Sequence, residues 1–154
     1  MNVKIKKLHQ SAVIPAYSKP GDAGLDLTAT RVIKDTPTQI TYGTDISIEI
    51  PEGYVGLIFP RSSIRDRGLY LSNSVGVLDS GYRGEIQFTF IKLTGGEGYY
   101  DETRNTETAI HNFYEVGERV GQIIILPYPQ IKFEETHTLS TSERGTGGFG
   151  HSGK

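Results

Sequence analysis

The sequence predicts an all-β protein, a jelly-roll-like antiparallel β-barrel with one short helix and a flexible C-terminal tail. Three observations predict it. Apolar and polar residues alternate with period two in several short runs, the spacing of half-buried strands. Glycine is high, at 19 of 154 residues against a usual value of about 7%, which suits many tight turns. No long stretch has the i, i+3, i+4 apolar pattern of an amphipathic helix. Many short strands and one helical turn point to a barrel or jelly roll.

The elements follow in chain order. A first strand is expected over residues 3–8, where Val3 and Ile5 alternate with lysines, and a second over 24–29. Ile46, Ile48 and Ile50 alternate with Asp45, Ser47 and Glu49 as a strand. Pro51 to Tyr54 reads as a turn with proline at its first central position. Val55 to Phe59 resumes an apolar strand. A short helix fits next, with Ser62 or Ser63 as its cap and Gly68 as its terminator. Strands at 69–72 and 74–78 precede Ser80-Gly81, which suits a tight hairpin turn. Ile86, Phe88 and Phe90 alternate with Glu85, Gln87 and Thr89. Residues 94–108 are polar and aperiodic and read as an extended surface loop. Val120 to Leu126 is a buried run ended by Pro127 and Pro129, with a last strand expected at 130–133.

Composition narrows the chemistry. The chain is the size of one domain. Its net charge is −2, with Lys and Arg scattered, which argues against a polyanion-binding surface. The absence of cysteine removes disulfides, thiolate catalysis and Cys-ligated zinc. His9, His111, His137 and His151 lack metal-site spacing. No apolar run approaches the roughly 20 residues of a membrane span, and the N-terminus is no signal peptide. A cytoplasmic location is expected, with no nucleic-acid or membrane partner.

The tail, Arg144-Gly-Thr-Gly-Gly-Phe-Gly-His-Ser-Gly-Lys154, cannot hold a helix or strand. It carries one guanidinium and one ring among backbone N–H groups free to face a ligand, which suits closure over a flat anion. Gly145, Gly147 and Gly150 match Gly-x-Gly-x-x-Gly. No strand–turn–helix surrounds them, so a dinucleotide fold is excluded, and no Gly-Lys-Ser/Thr makes a Walker loop.

Four further segments are rich in functional residue types. Gly21-Asp-Ala-Gly-Leu-Asp-Leu27 sets two aspartates among turn residues. Pro60-Arg-Ser-Ser63 places a guanidinium and two hydroxyls at a helix start, a corner suited to phosphate oxygens or to simple capping. Asn73 to Ile86 contains Val-Leu-Asp-Ser-Gly-Tyr-Arg-Gly, with Asp79 and Tyr82 flanking the turn. Gly117-Glu-Arg-Val-Gly-Gln122 enters the apolar strand.

Taken with the tail and in this order, the segments resemble the trimeric dUTP nucleotidohydrolase (dUTPase) family, from Ala23 to Gly153. Val-Leu-Asp-Ser-Gly-Tyr-Arg-Gly and Arg-Gly-Thr-Gly-Gly-Phe-Gly are the most specific. The resemblance implies hydrolysis of dUTP to dUMP and pyrophosphate with Mg²⁺, which supplies dUMP for thymidylate synthesis and keeps uracil out of DNA. It implies a jelly-roll homotrimer with shared active sites. A β-domain over 1–139 would be followed by a mobile arm over 140–154.

Residue by residue, the resemblance makes Asp79 the general base that activates water, and Asp26 a group near the metal or the sugar, acting through water or a neighbouring group. Arg61, Ser62, Ser63, Gln122, Arg144, Gly147 and Gly148 would hold the phosphates. Asn73 and Gly76 would meet uracil in a hairpin spanning Asn73–Tyr82. Tyr82 would pack under the deoxyribose and exclude a 2′-hydroxyl. Phe149 would stack on the base, a contact worth about 1–3 kcal/mol. Gly81 departs from a frequent acidic residue, Gly121 from a frequent alanine, and the 94–108 loop looks long. Two rival readings share the fold. A dCTP deaminase would need a glutamate at the cytosine amino group, with Glu85 near in sequence. A nucleotide-gated binding protein would use the pocket as a switch.

Overall fold

The computed structural model describes residues 1–93, 99–101, 106–108 and 113–148. Twelve strands fall within these residues: β1 (Lys4–Lys7), β2 (Leu25–Thr28), β3 (Arg31–Asp35), β4 (Gln39–Gly43), β5 (Ile46–Glu49), β6 (Tyr54–Phe59), β7 (Leu69–Leu71), β8 (Gly76–Leu78), β9 (Gln87–Lys92), β10 (Tyr99–Asp101), β11 (Thr106–Thr108) and β12 (Arg119–Pro127). All pairs are antiparallel. Two four-stranded sheets dominate, one ordered β2-β12-β6-β8 and the other β3-β4-β9-β7. The pairs β1-β5 and β10-β11 complete the set. The all-β expectation holds, and the hydrogen-bonded strands of the described residues form separate sheets rather than one closed barrel.

Period-two patterning explains the layering. Leu27, Tyr42, Phe88, Phe90 and Val120 are completely buried, while their neighbours along each strand turn outward. Each such apolar side chain contributes about 1.5–3 kcal/mol on burial. The Phe88 and Phe90 rings stack at 6.2 Å, and Tyr42 meets Phe90 edge-on at 6.1 Å. The Tyr42 hydroxyl donates to the Tyr114 carbonyl at 2.7 Å, and burial pushes its pKa up to about 12.

Several expectations are corrected. The predicted helix is a short 3₁₀ turn, Ser62–Asp66, whose cap position is Arg61 with no side-chain capping bond. Both serines therefore lie inside the turn. Gly68 does end it, at φ 59°, a conformation open to glycine. Ser80-Gly81 makes a turn, but not a hairpin. β8 pairs with β6 and β9 with β4 and β7, so the chain crosses between sheets there. The polar 94–108 stretch contains the β10–β11 pair. Residues 130–133 form no strand; Pro127 and Pro129 remove ladder donors just upstream of them.

β3 went unforeseen because all five of its residues are exposed; β4 was missed although Ile40 and Tyr42 alternate with Gln39 and Thr41. β5 is buried on both faces, Ser47 included. The last half of β12 is more open than expected, with Leu126 exposed.

Candidate active site

Two strand registers bring the first cluster together. Gln122 stands opposite Asp26 on β2 and opposite Phe59 on β6. Leu25 and Leu27 face the core side of β2, so alternation turns Asp26 outward beside Gln122. Chain direction from Phe59 through Pro60 then delivers Arg61 and Ser62 to the same place. These residues line an open depression of about 460 Å³, with Lys19 at its rim.

The cluster is ordered by its own bonds. Arg61 Nε donates to Asp26 Oδ1 at 2.8 Å. Arg119 Nη1 and Ser18 Oγ donate to Asp26 Oδ2 at 2.9 and 3.0 Å. The terminal nitrogens of Arg61 make no hydrogen bond among the described residues. Gln122 Nε2 donates to the Pro60 carbonyl at 3.2 Å. A Cβ on Gly24 would lie 2.2 Å from Gln122 Oε1, so glycine is what lets the amide lie flat there. Ser62 faces the depression, whereas the Ser63 hydroxyl lies 3.4 Å from that of Tyr114.

The second cluster sits on the β8 side of β6. Asn73, Gly76, Asp79 and Tyr82 line a depression of about 320 Å³, joined by Glu85 and Gln87. Asp79 is exposed, and no donor or cation pairs with its carboxylate among the described residues. Asn73 leads into a turn whose Ser74 takes φ 59°. A Cβ on Gly76 would lie 2.3 Å from Ile58 Cγ1. Glycine at 76 thus answers to packing against β6 beneath the site.

Tyr82 is held in place. Its hydroxyl donates to the Glu85 carbonyl at 2.9 Å. A Cβ on Gly84 would lie 2.4 Å from that hydroxyl, so the ring lies across bare backbone. The Glu85 carboxylate is fully engaged, by Arg31 Nη2 at 2.6 Å, the Asp45 N–H at 2.8 Å and Gln87 Nε2 at 3.0 Å. Burial pushes the Glu85 carboxyl up, but these donors and the Arg31 charge reverse that and hold it below the ordinary carboxylate range.

The tail residues lie apart from both clusters. Tyr128 N–H donates to the Gly53 carbonyl at 3.0 Å. Farther along, Arg144 Nε turns back onto the Gly147 carbonyl at 2.8 Å, and Gly148 is exposed. Phe149 lies outside the described residues. One chain therefore gathers Asp26, Arg61, Ser62 and Gln122 in one place and Asn73, Gly76, Asp79 and Tyr82 in another. Arg144, Gly147 and Gly148 join neither. Sequence reasoning missed Arg119, Ser18 and Arg31. Arg119 stood inside the segment Gly117–Gln122 and could have been found there; the other two had no local signal.

Among the described residues, no group of three His, Asp or Glu side chains is placed to hold a metal ion, and no helix is long and apolar enough to cross a membrane.

A family model described as dUTPase matches residues 10–104 and 105–153. The deoxyuridine 5'-triphosphate nucleotidohydrolase of Leifsonia xyli subsp. xyli is 38% identical over 142 residues, covering 91% of this chain and 85% of that protein. The protein of the same name from Gloeobacter violaceus is 38% identical over 160 residues, covering 99% and 97%. Among solved structures, the Staphylococcus bacteriophage 80alpha dUTPase G164S mutant with dUpNHpp matches with TM-score 0.79 and 27% identity over 99% of both chains.

Proposed function

This chain belongs to the dUTPase family, and from that premise we infer that it is a dUTP diphosphatase, hydrolysing dUTP to dUMP and pyrophosphate. Asp79 carries the reading: an exposed carboxylate, unpaired among the described residues, in one depression with Asn73 and Tyr82.

Asp79 accepts a proton from a water molecule as that water's oxygen attacks the α-phosphorus. The bond from the α-phosphorus to the bridging oxygen breaks, and pyrophosphate leaves with the electron pair. A positioned base contributes about 10²–10⁴-fold to such a step. Arg61, Ser62 and Gln122 receive the phosphates, and the arginine fork can grip two oxygens at once. Asp26 orients Arg61 and Arg119 from below. Because both Asp26 oxygens already accept bonds, this carboxylate suits contact with Mg²⁺ through water. Mg²⁺ brought with the triphosphate would sit near Asp26 and would supply charge neutralisation there. Asn73 and the Gly76 backbone meet the uracil edge, and Tyr82 bars a 2′-hydroxyl. A site that hydrogen-bonds one base pattern rejects the wrong one strongly.

The active unit is a homotrimer. Its two half-sites lie in separate depressions of one chain, and its C-terminal segment leaves large apolar side chains uncovered: Ile131 is 70%, Phe133 89% and Leu139 88% exposed. Residues 140–154 act as an arm over a neighbour's site, bringing Arg144, Gly147 and Gly148 to the phosphates, with Ser63 near them and Phe149 on the base.

The deaminase alternative loses its candidate group, since Glu85 is occupied on both oxygens and held ionised. Pyrophosphate release with Mg²⁺ from dUTP, dTTP, dCTP and UTP tests the assignment. Release from dUTP alone is expected, falling about 10²–10⁴-fold in Asp79→Asn with nucleotide binding retained. Ammonia from dCTP, or silence toward dUTP, would overturn it.

A further inference from the structure

The loop bearing Asp79 and Tyr82 is tied to a charged cluster that the hydrolytic mechanism does not use. Arg31, at the start of β3, is ion-paired through Nη1 with Asp45 and through Nη2 with Glu85. Glu85 Oε1 accepts the Asp45 N–H at 2.8 Å. Ser11 Oγ donates to Asp45 Oδ2 at 3.3 Å. Asp45 itself sits at φ 52°, a left-handed conformation uncommon outside glycine that its neighbours must stabilise.

The backbone around the cluster is fitted to it. A Cβ on Gly43 would lie 2.7 Å from Glu85 Oε1 and 2.8 Å from Arg31 Cζ, so β4 runs directly beneath the ion pair. Two hydroxyls hold the adjacent loop: Thr44 Oγ1 donates to the Ile86 carbonyl and Ser47 Oγ to the Arg83 carbonyl, each at 2.7 Å. At the far end stands Tyr82, its hydroxyl on the Glu85 carbonyl at 2.9 Å. Glu85 thus joins two systems. Its carboxylate belongs to the clasp with Arg31 and Asp45, and its backbone fixes the tyrosine ring.

We propose that Arg31 and Glu85 are positioning residues for sugar selectivity, setting Tyr82 from the opposite sheet so that the ring bars a ribose 2′-hydroxyl; this rests on the reading of the protein as a dUTP diphosphatase. Rejection of one extra hydroxyl by contact alone needs a ring held to a fraction of an ångström. A tyrosine on an exposed loop does not hold that position by itself. The clasp supplies the constraint with the Glu85 carboxylate already taken up by Arg31, the Asp45 N–H and Gln87. Arg31 is half exposed while Asp45 and Glu85 are nearly buried, so losing the guanidinium also costs stability, and thermal melts read that cost apart from the nucleotide ratio. A loss of folding alone would lower activity on both nucleotides equally, which separates it from a loss of selectivity.

Full-length Glu85→Gln and Arg31→Gln, with Mg²⁺, are compared with wild type for kcat and KM on dUTP and UTP, alongside thermal melts. The ratio of kcat/KM for dUTP over UTP is expected to fall by about tenfold, the upper size of one hydrogen bond's net contribution. The kcat for dUTP should stay within about twofold, since nothing in the chemical step is removed. Arg31→Lys, which keeps the charge, should recover part of the selectivity. If Arg31→Gln fails to fold, Glu85→Gln and Arg31→Lys carry the same comparison. An unchanged dUTP/UTP ratio in folded variants, or an equal loss for both nucleotides, overturns the proposal. Wild-type protein inert toward dUTP would instead sink the functional reading, and the clasp's role with it.

Discussion

Glu85 and Asp45 each carry a carboxylate that burial alone would push toward protonation. For Asp45 burial raises the pKa, and the Thr30 and Ser11 hydroxyls together with Arg31 outweigh it, leaving the group below its ordinary range. Glu85 follows the same pattern through Arg31, the Asp45 N–H and Gln87. In the unfolded chain such groups titrate near about pH 4. Since the folded values are lower, the unfolded chain binds more protons on acidification. The stability these groups contribute is complete above the unfolded pKa and is lost as pH falls through the folded one. Melting temperature should therefore hold steady from neutrality down to about pH 5 on their account, then fall below about pH 4. Glu85→Gln, which has no proton to gain, should show a shallower acid fall in calorimetric melts. An identical fall in both proteins would remove Glu85 from the cause.

Strand β12 packs on β9 where a residue without a side chain meets an aromatic ring. A Cβ on Gly121 would lie 2.1 Å from Phe88 Cε1 and 2.3 Å from Cζ. Phe88 is fully buried, so the ring has no free direction in which to move. Overpacking of this kind typically costs about 1–3 kcal/mol. Gly121→Ala should destabilise by that amount in urea titrations, and adding Phe88→Leu should recover part of it because the clashing ring atoms are gone. Strict additivity of the two changes would show that the clash is absent. The same contact explains what sequence could and could not reveal. Alternation at Ile86, Phe88 and Phe90 and the apolar run at 120–126 made β9 and β12 legible, because a strand with one buried face writes that face into its composition. The exposed edge strand β3 wrote nothing. Asp79 and Tyr82 stood out as candidates because their motif is long, and Arg61 and Gln122 because their short segments come in order with the others. Arg31 did not, because its partners Asp45 and Glu85 are joined to it only by the β3–β4–β9 sheet. The crossing at Ser80-Gly81 was misread as a hairpin because a local turn signal does not say which strand the chain pairs with next.

Across the whole molecule, the groups proposed to serve one turnover are divided. Asp79 and Tyr82 lie in one depression, Arg61 and Gln122 in another, and the described arm residues touch neither. Exposed Phe133 and Leu139 would each lose roughly 1.5–3 kcal/mol of favourable burial if left in water, a strong drive to dock on another copy. If a neighbour's arm completes each site, two differently crippled chains can restore one another. An Asp79→Asn chain keeps its arm but lacks the base. A chain ending at Leu139 keeps the base but lacks Arg144 and Phe149. Each alone should be nearly inactive on dUTP. Unfolded together and refolded as a mixture, they should regain part of the pyrophosphate release, at sites that take Asp79 from the truncated chain and the arm from the other. The gain requires subunit mixing, so the same proteins combined after separate folding should gain little until they exchange. If differently tagged chains demonstrably co-assemble and the mixture stays silent, each arm closes on its own chain, and the division seen between the two depressions must be bridged within a single subunit.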